Sequence, residues 1–114
     1  MSTLLDTIKW GTDYIIKSHK RHNDGSTDYF VAQVGDGHAD HSYWGSPEEM
    51  SMNRPAFAIN AQNPGSDVAA ASTACLASAS ILFRQQGDVD YADTLLEHAQ
   101  ALFDFADTYR GKYS

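Results

Sequence analysis

The stretch from Val68 to Phe83 carries no charged side chain and is small or apolar almost all round. At helical spacing such a run has no polar face, and a helix without one is buried on most sides. Its many alanines and serines let neighbouring helices come close. Ser66 or Asp67 reads as its cap and Gly87-Asp88 as its break, which predicts a helix over about 66–86. This run constrains the fold more than any other feature, because something must surround it.

The flanking segments are amphipathic. Residues 3–20 predict a helix, with Leu4, Leu5, Ile8, Thr12 and Ile15 on one stripe and Trp10 and Tyr14 on its neighbour. Ser2 or Thr3 suits its N-terminus, and Lys17, Lys20 and Arg21 suit its C-terminal turns. Residues 90–109 predict a third helix. Leu95, Ala99, Leu102, Ala106 and Tyr109 form its stripe, widened by Tyr91, Leu96, Phe103 and Phe105. Asp93, Glu97, Gln100, Asp104 and Asp107 form its wet side. Asn23-Asp24-Gly25-Ser26 is a turn, and 28–34 predicts a short extended strand. Residues 35–64 then read as one long irregular loop punctuated by prolines and glycines, a kind of segment that is often functional. Three helices cannot easily enclose the middle one. The expected architecture is therefore all-α, with an enclosed helix and amphipathic neighbours as concentric helical rings require.

Composition narrows the function. At 42% apolar and 20% charged residues, the chain is globular in character. A net charge of -7 disfavours nucleic-acid backbones and anionic membranes but leaves a neutral polysaccharide compatible. No apolar run reads as long enough to span a membrane. The single cysteine, Cys75, excludes an internal disulfide and reads as a small buried hydrophobe. The N-terminus shows no basic-then-apolar signal-peptide pattern. There is no internal repeat.

The densest chemistry lies in Val34-Gly35-Asp36-Gly37-His38-Ala39-Asp40-His41-Ser42-Tyr43-Trp44-Gly45. Glycines allow sharp turns and close backbone approach. Aromatic and imidazole groups beside them suit a polar ligand with flat apolar faces, such as a sugar ring. Asp36 and Asp40 read as makers of turn and loop hydrogen bonds. A metal reading competes, since Asp36, His38, Asp40 and His41 are of zinc-ligand type, yet their spacing is not held on a predicted helix. His19 and His22 share the H-x-x-H spacing but read as a solvated basic terminus. His98 reads as structural. Arg54 reads as a loop-pinning partner of Glu48 or Glu49.

This block resembles the VQVGDG-ADH-x-x-WG block of glycoside hydrolase family 9, the inverting endo-β-1,4-glucanases or cellulases. The resemblance continues through Met50-Ser51-Met52-Asn53-Arg54-Pro55, through Pro64-Gly65-Ser66-Asp67-Val68-Ala69-Ala70, and through Ala106-Asp107-Thr108-Tyr109-Arg110-Gly111-Lys112-Tyr113-Ser114. Ala71 departs from it by standing where the family carries a Glu. The resemblance implies an (α/α)6 barrel, of which residues 1–114 would be an interior slice of the catalytic domain lacking both ends. It implies a β-1,4-glucan as partner and a secreted parent enzyme; no cofactor and no metal are expected. It places His41 and Trp44 in the substrate cleft, with Tyr43 between them as a third candidate. Inversion needs an acid and a base carboxyl about 6.5–9.5 Å apart. The family's D-A-G-D motif and its distant acid Glu motif do not occur here, so no catalytic residue is assigned. The expected role is cleft wall and scaffold, with self-association of the isolated segment. The alternative is a stand-alone, non-catalytic carbohydrate-binding or interaction module.

Overall fold

The computed structural model describes residues 2–113. Met1 and the closing Ser114 of the last motif lie outside the described residues. Helix α1 (Ser2–Lys17) leads into strand β1 (His19–Arg21) and β2 (Thr27–Val34). A short helix α2 (Gly37–Ser42) and a 3-10 turn (Pro47–Glu49) precede β3 (Ala56–Ile59). Two 20-residue helices follow, α3 (Ser66–Gln85) and α4 (Val89–Thr108).

The long helices form the body. They pack lengthwise, with Ala69, Ala79, Ala92 and Ala99 buried between them beside Leu76, Leu95 and Leu102. Small side chains at the contact let the axes come close. Gly87, at φ +90°, reverses the chain after α3, and the Asp88 carboxylate accepts the Tyr91 N–H to cap α4. The expected cap at Ser66 or Asp67 is not formed: Gly65 takes the N-cap position with no side-chain bond. Both residues instead hold the segment after α4. Ser66 Oγ accepts the Gly111 N–H at 3.1 Å, and Asp67 accepts the Tyr113 N–H at 2.9 Å.

The expectation of an all-α chain with one extended segment is corrected by an antiparallel sheet in the order β1-β2-β3. β2 is the middle strand, pairing His19 with Phe30 on one side and Val34 with Ala56 on the other. Phe30 and Ile59 carry the sheet into the core. Consequently α1 ends at Lys17, and Lys20 and Arg21 belong to β1 rather than to helical turns. Leu5, Ile8, Ile15 and Ile16 pack on the core, while Leu4 is exposed.

The described residues cover α3 on one side only. Ala70, Ala71, Ala74, Cys75 and Ile81 face outward, so the expectation of a buried Cys75 is also corrected. By length and composition α3 is apolar enough to cross a membrane, against the sequence expectation. Here it serves as the helix against which α4 packs.

Candidate functional site

The loop of residues 35–45 is built from glycine turns and local caps. Gly35 has φ +94°, a conformation that favours glycine. Its N–H donates to the Pro55 carbonyl at 2.7 Å, tying the end of β2 to the start of β3. The Asp36 carboxylate accepts the Ala39 N–H at 2.9 Å and caps α2. That is the loop role the sequence suggested for Asp36. The H-x-x-H pair His38 and His41 does lie on a helical turn, contrary to expectation. Among the described residues, no three His, Cys, Asp or Glu converge as a metal-holding group.

Asp40 pairs with Nη1 of Arg54, and Arg54 Nη2 faces the Val34 carbonyl at 3.5 Å. The expected partners Glu48 and Glu49 are displaced by Asp40, because the β2–β3 pairing brings Pro55 beside Gly35 and so sets Arg54 over the start of the loop. Both charges are partly exposed. Such a pair contributes on the order of 0.2–1 kcal/mol to stability, so its main effect is on geometry.

The three residues singled out in this loop are placed differently. His41 lies exposed on α2. Trp44 is 99% exposed. Tyr43 is half-buried; its hydroxyl donates to the Ser46 carbonyl at 3.0 Å and its ring lies against Gly45. The loop thus uses Asp36, Asp40 and Tyr43 to hold itself, and presents an imidazole and an indole to solvent. A polar cleft of about 730 Å³ lies elsewhere, between the β1–β2 turn and α4, lined by Arg21, Asp24, Gln62, Gln100, Asp104 and Tyr109. None of residues 35–45 lines it.

A second cluster was not legible as such in the sequence. His19, expected in a solvated terminus, is buried, and its Nδ1 lies 2.8 Å from Nδ1 of His98 on α4. His19 Nε2 lies 2.8 Å from Thr27 Oγ1, whose hydroxyl donates to the Ala101 carbonyl at 3.2 Å. With its proton spent on Ala101, Thr27 accepts from His19 Nε2–H. Neutral His19 then offers Nδ1 as acceptor, and His98 Nδ1–H donates to it. This order supplies a proton to every contact. Burial, then the neighbouring His98 and Arg21, hold His19 down at about 4. Burial and Arg21 also lower His98, opposed by Glu97.

Comparison with known proteins agrees along the whole chain. The family model described as glycosyl hydrolase family 9 matches residues 1–114. Endoglucanase 5 of Oryza sativa subsp. japonica is 52% identical over 109 residues, which are 96% of this chain and 20% of that protein. The solved endoglucanase of the termite Nasutitermes takasagoensis superposes with a TM-score of 0.85 at 51% identity, over 96% of this chain and 24% of its own. The cellulase Cel9M of C. cellulolyticum, solved in complex with cellobiose, gives a TM-score of 0.86 at 31% identity, over 100% of this chain and 25% of its own. The chain spans about a fifth of the length of the curated relatives it matches.

Proposed function

The chain belongs to glycosyl hydrolase family 9, and on that premise we propose that it forms part of the substrate cleft of an inverting endo-β-1,4-glucanase. In this reading the helices and sheet are scaffold within an (α/α)6 barrel, and the 35–45 loop is cleft wall. The carrying observation is Trp44: a tryptophan left 99% exposed in a loop whose neighbours are capped, paired or hydrogen-bonded. It buries nothing within the chain. Its indole matches the apolar face of a glucose ring, and the exposed His41 imidazole can donate to one hydroxyl and accept from another.

The chain contributes no acid or base in this reading. The Asp36 carboxylate caps α2 and that of Asp40 pairs with Arg54, so neither is free to serve. The proton-transfer carboxyls belong to the motifs absent from the sequence. A polymeric β-1,4-glucan as substrate fits a secreted parent enzyme.

Two measurements on the chain test the reading. Cellotetraose should quench or shift tryptophan fluorescence in the parent and not in Trp44→Ala, with Trp10 as the unchanged background. Incubation with a soluble β-1,4-glucan should release no reducing sugar. Release that disappears in Asp36→Asn or Asp40→Asn would overturn the division between wall and catalytic carboxyls. Binding indifferent to both Trp44→Ala and His41→Ala would overturn the cleft-wall role.

A further inference from the structure

Two sequence motifs that lie apart, the glycine turn at 35 and the Arg-Pro at 54, meet in one contact. A Cβ on Gly35 would sit 2.5 Å from Nη2, 2.6 Å from Cζ and 2.9 Å from Nη1 of Arg54. The guanidinium therefore occupies the space a side chain would take, directly on the backbone at the exit of β2. From there Nη1 reaches the Asp40 carboxylate, one residue before His41. Nη2 faces the Val34 carbonyl. The Gly35 N–H bond to the Pro55 carbonyl fixes the backbone next to Arg54, so the guanidinium's base is itself anchored.

Helix α2 is six residues long. A helix this short does not hold itself, and its direction must be set from outside. Asp36 secures its first turn. No residue of α2 is buried, so core packing does not orient it. The Arg54–Asp40 pair ties the middle of the helix, next to His41, to the Arg-Pro segment that enters β3. We propose that Arg54 is a positioning residue, whose guanidinium, seated on Gly35 and joined to Asp40, sets the direction in which α2 presents His41 to a sugar hydroxyl. This rests on the reading of His41 and Trp44 as sugar contacts. A planar fork with two directed donors can do this, and an ammonium on a flexible stem cannot.

The test uses the full 114-residue chain as parent, Arg54→Lys, Arg54→Ala, His41→Ala and Trp44→Ala. Each is followed by amide and imidazole NMR, thermal melting and cellotetraose titration. Arg54→Lys should melt with the parent, shift the amides of residues 37–44 and the His41 ring, and weaken cellotetraose by at least about tenfold. Arg54→Ala should do the same. Arg54→Lys carries the test if the alanine variant melts early, because it keeps the charge and the stem. Unchanged 37–44 resonances in Arg54→Lys would overturn the positioning role. So would parent-like binding by Arg54→Lys alongside loss in His41→Ala and Trp44→Ala. Titration that is indifferent to His41→Ala and Trp44→Ala would sink the sugar-contact reading instead, and with it the substrate half of this proposal.

Discussion

Tyr91 shows how one side chain can join three helices. Its hydroxyl lies 2.5 Å from Asp13 and 2.7 Å from Thr12 on α1. Its ring meets Phe83 of α3 edge-on at 4.9 Å and carries Lys9 Nζ at 4.4 Å. Burial, then the bond to Asp13, push the phenol up to about 12, and the same bond is the first cause of the lowered Asp13 carboxyl. The phenol thus stays protonated and donating across the working pH range. Thr12, 1% exposed, is the one buried residue of α1 and sits under this bond. Tyr91→Phe keeps the ring and removes only the two polar contacts. It should cost about 1–2 kcal/mol, read as a lower melting temperature, and Asp13→Asn should cost less. If Tyr91→Phe melted with the parent, α1 would be held by its apolar contacts, through Leu5, Ile8, Ile15 and Ile16. Residues of this kind are half-legible in sequence: Tyr91 fell on the predicted stripe, but its partners lie 78 and 79 positions away.

Among the elements, α1 and α4 followed from periodicity because each carries many turns of consistent pattern, and α3 followed from its long uncharged run and the glycine that ends it. The sheet did not, for a physical reason. β1 is three residues and β3 four, too short for alternation to register, and β1 follows α1 almost without a break. Basic residues at 20 and 21 looked like a helix C-terminus because a helix dipole and an exposed edge strand both accept Lys and Arg. The His19–His98 junction was hidden with the strand that creates it. It makes the sheet-to-α4 contact sensitive to acid. His19 folds with a value near 4 against an ordinary 6.5, so the unfolded chain takes up its proton first. The stability held in the neutral pair is complete above about pH 6.5 and falls as the pH drops toward 4. The groups facing the pair act in both senses: Arg21 on β1 opposes protonation of either ring, and Glu97 on α4 favours it for His98. His98 Nδ1–H donates in either charge state, so the first added proton is tolerated on its other nitrogen. The second sets two cations 2.8 Å apart. His19→Gln should flatten the fall in melting temperature between pH 6.5 and 4 relative to the parent. Parallel profiles for the two chains would show that other groups govern the acid limb.

The uncharged run from Val68 to Phe83 is only half covered in the folded chain. α3 meets α4 along one face, while Ile81, at 61% exposure, looks outward from another. On α4, Phe103 and Leu96 are exposed at 58% and 38%. With Ala77 and Thr73 they line a shallow groove between the two helices. The same pattern recurs on α1, where Trp10 is 82% exposed and Tyr14 59%. Isolated exposed hydrophobes are ordinary, but exposed apolar side chains on three helices of one small chain favour association. The chain by itself should bury these faces against a second copy. Sedimentation should therefore show a weight that rises with protein concentration, and an apolar dye should bind at low concentration and be displaced as association proceeds. Ile81→Glu combined with Phe103→Glu places like charges on both faces, touches no buried residue, and should hold the chain monomeric while leaving the α3–α4 contact intact. A parent that sediments as a monomer at every concentration, binds no dye and melts sharply would refute this, and would mean that the contact along one side of α3 is enough for the chain to stand alone.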